Sequence, residues 1–543
     1  MCQDGGVGSQ GRDFCAFGTD CADCGPRARP PSMILHLLSL DDPAALCLDG
    51  TSAGFYYRRG RPDRWVLFFE GGGWCYTPAQ CHHRAEYDRI GSSKNWAQTM
   101  QPPHFGPLSL SSEINPDFHN YSHVLIKYCD GASFAGDAEL HTHGTTLHFR
   151  GRRILDATLS ALQRPEYGLG ASVDTHVLLT GCSAGGLAVF LHADRVREAL
   201  PQATVTKFKA APGSGFFLHT LSVEGDDIYG WEMRQVYHMQ NLSASLSVAC
   251  QAAQPRGEAW RCAMAPYAAA FVRTPLFVLD SAIDKWQMMC IHAPHAIAQD
   301  VEVGYMSECG AAPSAGACAH TWGSSLGECT PSELTSVREY ALTFGAQLAH
   351  TGILAGGAGH GAFITSCFTH CGFVGADWTQ ARLPLAQLSR SLGMPWPSPA
   401  APAMRTYSMQ EALGAWWHHG EPDIDNATST ANTTAAAVYL PCELVLEPPS
   451  QCMLAASCPG YRSDTGSAPS PPSLAPGIAP SGVFAYGGAL AVASALCVCA
   501  WQLRRKRGGT TTRREMETAT DAQTTNGWEL NEAAKLAASA NAS

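Results

Sequence analysis

The sequence predicts an α/β class protein. It has a mostly parallel central sheet flanked by helices, is stabilised by disulfides, and ends in one C-terminal transmembrane helix. Three observations carry this. Short apolar runs alternate with amphipathic stretches over residues 33–459, and strands alternating with helices give a parallel sheet covered on both faces. A glycine-flanked serine sits where one such run meets the next amphipathic stretch. The chain also carries 22 cysteines, more than a reducing compartment favours.

The apolar runs at 65–69, 124–126, 176–180 and 275–279 are short, continuous and bounded by turn residues, the pattern of buried strands. Amphipathic stretches at 154–162, 187–200 and 334–348 supply helices between them. With 45% hydrophobic and 15% charged residues, the 543-residue chain can bury a large core. Acids outnumber bases by 47 to 36, for a net charge of −11. No basic stripe runs through the folded part, which argues against nucleic acid as a partner.

Five regions are expected. Residues 1–32 are rich in Gly, Cys and Pro and read as a small disulfide-pinned segment, with an unstructured leader as the equal alternative. They contain no basic n-region followed by an apolar stretch, so no export signal is read there. The main folded domain spans 33–460. Residues 461–482 are rich in Pro and Ser and read as an extended stalk. Residues 483–503 carry no charge and are long enough to span a bilayer. Arg504, Arg505, Lys506 and Arg507 follow at once and place the 504–543 tail in the cytoplasm. Four Asn-x-Ser/Thr sequons, at Asn120, Asn241, Asn426 and Asn432, agree with an extracellular or lumenal domain. Several cysteines stand at loop-closing spacings: Cys75/Cys81, Cys250/Cys262, Cys309/Cys318/Cys329 and Cys442/Cys452/Cys458. Their connectivity is not deducible from sequence.

The strongest chemical signal is Gly181-Cys182-Ser183-Ala184-Gly185-Gly186, directly after the 176–180 strand and before the 187–200 helix. That is the G-x-S-x-G nucleophile elbow in the setting it requires. A sharp strand-to-helix turn pushes the serine outward, small neighbours avoid clashes, and the helix N-terminus faces a developing oxyanion. A second signal, Glu70-Gly71-Gly72-Gly73-Trp74-Cys75, follows the 65–69 strand. In an α/β-hydrolase-like fold, such a loop supplies the other half of the oxyanion hole. A serine nucleophile needs a base, and the base needs an orienting acid, in the chain order Ser, Asp/Glu, His. Asp280 and Asp284 follow the 275–279 strand; Asp284 lies deeper in the loop, while Asp280 suits a strand-end turn. His360, in a Gly-rich loop, and His370, between Cys367 and Cys371, both remain candidates for the base.

These runs resemble the pectin acetylesterase/Notum family of carboxylesterases. The resemblance lies in 69–75, in 128–137 with Tyr128-Cys129-Asp130-Gly131, in Phe149-Arg150-Gly151, in the 181–186 elbow, in Asp284-x-Trp286-Gln287, and in 366–371. It covers roughly residues 33–450 and is closer to the plant-type pectin acetylesterases than to Notum. It implies Ser183 as nucleophile, Asp284 as triad acid and His370 as base, which resolves the histidine pair. It also implies backbone N–H donors near Gly72, Gly73 and Ala184 as the oxyanion hole, a Cys75–Cys81 disulfide, and no metal or organic cofactor. Trp74, Tyr128 and Asp130, inside the matching runs, are candidate substrate-pocket residues. One run departs from the family: Pro212-Gly213-Ser214-Gly215-Phe216-Phe217-Leu218-His219 lacks both aspartates usual there.

The expectation is a membrane-anchored extracellular or lumenal serine esterase acting on O-acyl esters, first of all O-acetyl groups of a pectin-like polysaccharide. The alternatives are a Notum-like removal of a fatty acyl group from a protein and a non-catalytic binding ectodomain.

Overall fold

Each of the four apolar runs forms a strand, and each strand reaches past its run. In chain order the strands are β1 (Met33–Leu37), β2 (Gly54–Arg58), β3 (Arg61–Phe69), β4 (Thr99–Met100), β5 (Tyr121–Ile126), β6 (Ala138–Thr142), β7 (Thr145–Phe149), β8 (Thr175–Cys182), β9 (Val205–Gly213), β10 (Phe277–Ser281), β11 (Gly361–Thr365), β12 (Arg382–Pro384), β13 (Thr406–Ser408) and β14 (Val438–Tyr439). Among the described residues, the helices of ten or more residues are α1 (Pro78–Tyr87), α2 (Gly151–Leu162), α3 (Ala184–Ala199), α4 (Ile228–Met239), α5 (Pro331–His350) and α6 (Met409–His418).

This computed structural model describes residues 32–87, 90–142, 144–293, 331–355, 359–384 and 406–419, with the backbone of 438–439. All of these lie in the unit formed by residues 1–465. The expected N-terminal segment, apart from residue 32, lies outside the described residues. So do the stalk, the 483–503 span, the basic tail, Asn426, Asn432 and the cysteines at 309–329 and 442–458. Among the described residues, no helix is long and apolar enough to cross a membrane.

Ten strands form one sheet in the order β14-β11-β10-β9-β8-β3-β5-β2-β1-β4. The strands from β14 to β5 run parallel, while β2, β1 and β4 add an antiparallel edge. Successive side chains of a strand point to opposite faces, and β3 shows the consequence. Trp65, Leu67 and Phe69 enter a core with Leu155, Leu159 and Leu187 from α2 and α3. Val66 and Phe68 enter a second core with Met409, Leu413 and Trp416 from α6. The sheet is thus sandwiched between helical layers, and its central strands read as continuous apolar runs for that reason.

β9 had no such run in the sequence. Its first half alternates apolar residues with lysines, and its second half, Ala210-Ala211-Pro212-Gly213, is small. Long-range pairing with β8 makes it a strand. Lys209 shows what its polar face does: the ammonium donates to the Trp416 and Trp417 carbonyls (2.7 and 3.0 Å) at the C-terminal end of α6. The other end of α6 carries a capping box, with Glu411 N–H donating to Ser408 Oγ (3.1 Å) and Ser408 N–H to Glu411 Oε2 (2.8 Å).

Disulfides join Cys47–Cys129, Cys75–Cys81, Cys182–Cys371 and Cys250–Cys262. Two of these close the short loops the spacing suggested. The other two connect segments 82 and 189 residues apart.

Candidate active site

In a parallel sheet, ligand sites form outside the carboxyl ends of the strands, because all the following loops leave from one edge. Here β3, β8, β9, β10 and β11 are consecutive parallel neighbours. Phe69 pairs with Gly181, Cys182 with Gly213, and Ser281 with Thr365. The glycine loop after β3, the serine after β8, the aspartates at and after the end of β10 and His370 after β11 therefore emerge at one edge.

Ser183 occupies the turn between β8 and α3 with φ 61° and ψ −127°. A non-glycine residue in this region costs of order 1–3 kcal/mol. The turn is held by Ser183 N–H donating to the Gly213 carbonyl (3.1 Å) and by Leu187 N–H donating to the Ser183 carbonyl (2.9 Å). Gly71 packs directly beneath it. A side chain there would collide with the Cys182 carbonyl and lie 2.8 Å from Ser183 Cβ.

The loop 70–75 is braced from several sides. Arg84 of α1, 2% exposed, donates to the Gly72 carbonyl (2.6 Å) and the Trp74 carbonyl (2.8 Å). Tyr128 Oη donates to the Gly73 carbonyl (2.6 Å), and Gly73 itself has φ 61°. Glu70 accepts from Tyr128 N–H (2.9 Å) and pairs with Lys127. Gln240 donates to the Cys75 and Gly131 carbonyls (2.9 and 3.2 Å). With the carbonyls tied back, the Gly72 and Gly73 N–H groups are left free of backbone partners among the described residues. Ala184, first residue of α3, has no intrahelical acceptor for its N–H.

His370 Nδ1 lies 2.8 Å and 3.0 Å from the two carboxyl oxygens of Asp284. Asp284 is fully buried and the imidazole is 21% exposed. The same carboxylate caps a short helical turn by accepting from Gln287 N–H (3.1 Å). His370 Nε2 is buried and has no hydrogen-bond partner among the described residues. No bond joins it to Ser183 Oγ, and such bonds are often long until a substrate closes the site. The disulfide Cys182–Cys371, with Cα atoms 5.8 Å apart, links the residue before Ser183 to the residue after His370.

His360 is separated from this group. Its Nδ1 accepts from Leu276 N–H (3.0 Å), at the start of β10, and burial lowers its pKa. Asp280 stands near the other end of the strand, about 13 Å further along at ~3.3 Å per residue, and Asp284 follows in the loop after it. Asp280 is buried and accepts from Phe216 N–H (3.0 Å) and Ser281 N–H (2.8 Å). Burial, and secondarily the Asp284 charge, holds its pKa well above the usual carboxylate range. It anchors the loop after β9.

The three pocket candidates divide. Trp74 joins an aromatic group with Phe217, Tyr229 and Trp286, at ring separations of 5.0, 5.6 and 5.6 Å. Phe217 and Trp286 in turn stand 6.3 and 6.4 Å from the His370 ring. Tyr128 and Asp130, by contrast, are fully buried within the scaffold and do not line open space. Asp130 Oδ2 accepts from Ala132 and Phe134 N–H (3.2 and 2.9 Å), and burial pushes its pKa up to about 7. Their motif signals a rigid support for the glycine loop, which spacing does not distinguish from a pocket wall.

The run 212–219 begins in the last two residues of β9 and continues as the loop after it, which carries Phe217 of the aromatic group. Ser214 Oγ accepts from Cys371 N–H (2.9 Å). His219 lies 2.6 Å from the Tyr267 hydroxyl and 3.1 Å from Asp227 Oδ1. Sequence reasoning had no role for Arg84, Phe217 or Gln287, and it did not pair Cys182 with Cys371. A signal for that pairing existed: each cysteine adjoins a candidate catalytic residue. Among the described residues, no cluster of three His, Cys, Asp or Glu side chains is placed to hold a metal ion.

The family model described as Pectinacetylesterase matches residues 28–435. Pectin acetylesterase 11 of Arabidopsis thaliana is 29% identical over 425 residues, covering 76% of this chain and 94% of the relative. Pectin acetylesterase 4 of the same plant is 37% identical over 249 residues, covering 45% and 58%. The palmitoleoyl-protein carboxylesterase Notum of Drosophila melanogaster is 30% identical over 274 residues, covering 47% and 38%. The solved structure of the Wnt deacylase Notum from Drosophila superposes with a TM-score of 0.54 at 24% identity, covering 72% of this chain and 93% of that one. The fold is the Notum-like α/β-hydrolase fold. With three quarters of its length matched by the family, this chain belongs to the pectinacetylesterase family of carboxylic ester hydrolases.

Proposed function

We propose that this protein is a serine esterase that hydrolyses short O-acyl esters, first of all O-acetyl groups of a pectin-like polysaccharide. Ser183 Oγ attacks the ester carbonyl, and His370 Nε2 takes its proton. Asp284 holds the Nδ1–H tautomer and stabilises the imidazolium. The N–H groups of Gly72, Gly73 and Ala184 stabilise the tetrahedral oxyanion, each worth about 3–4 kcal/mol in comparable sites. The alcohol leaves with the proton from His370. Water, activated by the same imidazole, then releases the acid.

The observation that carries this reading is the Asp284–His370 pair at 2.8 Å, tethered by a disulfide to a serine in a left-handed turn. The preference for a short acyl group rests on the aromatic group beside His370. Trp74, Phe217 and Tyr229 are each less than 5% exposed and pack against one another, so they fill volume that a long chain would need. Their apolar character is what favours the second reading, removal of a fatty acyl group from a protein. The disulfides fit an oxidising, extracellular or lumenal setting, with the 483–503 run proposed as the anchor and the 504–543 tail in the cytoplasm.

The test is hydrolysis of acetyl, octanoyl and palmitoleoyl esters by the purified protein beside Ser183→Ala. Acetate release that vanishes in the variant supports the reading. Preference for the long chain moves it to protein deacylation. Full activity in Ser183→Ala removes the serine mechanism.

A further inference from the structure

Resting on the triad reading above, we infer that the Cys182–Cys371 disulfide is a positioning link for catalysis. Its reduction by a dithiol lowers turnover while leaving the domain folded.

The nucleophile and the base come from segments nearly two hundred residues apart in the chain, and their side chains form no hydrogen bond with one another. The disulfide spans this separation at the shortest possible remove, one residue from each. Cys371 is itself in the left-handed region, φ 60°, so the peptide that orients His370 is set by the sulfur link together with the Cys371 N–H bond to Ser214 Oγ. Releasing the link leaves other moorings in place. Lys285 N–H donates to the Thr369 carbonyl (3.2 Å), Thr369 Oγ1 donates to Asp377 (2.8 Å), and Ser281 Oγ donates to the Cys367 carbonyl (2.7 Å). β11 remains in register with β10. The loop therefore stays folded but loses the constraint that fixes the position of His370 relative to the serine. Misplacement by about 1 Å is enough to cost on the order of a hundredfold in rate.

Of the four disulfides named above, this one is also the least buried. Cys47, Cys75, Cys81, Cys129, Cys250 and Cys262 are all at most 1% exposed, whereas Cys182 is 6% exposed and Cys371 is only partly buried. Exchange begins when a dithiol thiolate attacks one sulfur, breaking the S–S bond and forming a mixed disulfide. The second thiol then closes on that bond, and the dithiol leaves as its own disulfide. The protein gains two electrons and two protons as two thiols.

The experiment compares wild type, Cys182→Ala/Cys371→Ala and Ser183→Ala on an acetyl ester, with circular dichroism as the fold control and alkylation mass spectrometry to map reduced cysteines. The double variant is expected to lose kcat by on the order of ten- to a hundredfold, with KM within about twofold. Its residual activity is expected to be indifferent to dithiothreitol. Wild type under mild dithiothreitol is expected to fall to the same level, in step with labelling of Cys182 and Cys371, and to recover on reoxidation. Wild-type kcat in the double variant overturns the inference, as does activity loss that tracks labelling of Cys75 and Cys81. If the double variant does not fold, the labelling order in wild type decides alone. Activity surviving in Ser183→Ala is the separate signature that the triad reading itself has failed.

Discussion

Replacing Arg84 by methionine tests whether the glycine loop is held by its carbonyls. The guanidinium is almost fully buried and donates to the Gly72 and Trp74 carbonyls at 2.6 and 2.8 Å. Methionine fills most of the same volume, so the cavity term is small, but both carbonyls lose their donors. Leaving a buried acceptor unpaired costs about 1–3 kcal/mol, so the expected loss of stability is about 2–6 kcal/mol. The two bonds flank Gly73, whose N–H is assigned to the oxyanion. One misdirected oxyanion donor lowers kcat by about 10²–10³ in comparable enzymes. A loop that only relaxes should lose less, about tenfold or more, with KM little changed. Urea unfolding gives the stability change, read from the midpoint at constant slope. Initial rates on an acetyl ester give the kinetic split. An Arg84→Met protein within about 0.5 kcal/mol of wild type, with unchanged kcat, would refute the reasoning.

Further predictions concern neighbouring groups. Asp284→Asn keeps the side-chain volume but favours the wrong imidazole tautomer, and kcat should fall by about 10⁴ with the fold intact; a loss under tenfold in initial-rate assays would count against Asp284 as the orienting acid. Phe217→Ala should cost about 3–5 kcal/mol and open space beside His370. The octanoyl-to-acetyl ratio of kcat/KM should then rise, by up to about 0.8 kcal/mol for each newly buried methylene, and an unchanged ratio argues that the acyl chain lies elsewhere. Burial pushes the Asp130 pKa up from the ordinary 3.8 to about 7. Its contribution is therefore fully present below about pH 4 and is lost as pH rises through about 7, at about 1.4 kcal/mol per pH unit. Asp130→Asn keeps an acceptor for the Ala132 and Phe134 N–H groups, so it should flatten that decline and be more stable than wild type at pH 8. Equal pH slopes in denaturant melts of the two proteins would show that Asp130 does not carry the proton.

The sequence resolved the elements whose signal is local. β3, β5, β8 and β10 are buried on both faces, and their apolar runs said so. The helix after Ser183 was legible from its glycine-flanked start. β9 was not, because lysines interrupt its pattern and its pairing partners lie far away in the chain. β11 was not, because Gly361-Ala362-Phe363-Ile364-Thr365 is short and small at its start. The pocket candidates show the same limit from the other side. Tyr128 and Asp130 stood out in a motif, but a motif marks what a site requires without separating the residues that touch a substrate from those that brace a loop.

By itself, then, the sequence determined the class of fold, a cysteine content suited to disulfides and a serine elbow beside a glycine loop, since periodicity, cysteine number and turn chemistry are properties of neighbouring residues. Family resemblance, and not spacing, chose His370 over His360. Only the tertiary structure decided where each candidate stands. Asp284 meets His370 across 86 residues, His360 packs at the far end of the same strand, and Cys182 reaches Cys371 across 189. Such contacts depend on the order and register of the parallel strands. Pairing between distant segments sets that order, and no local pattern records it.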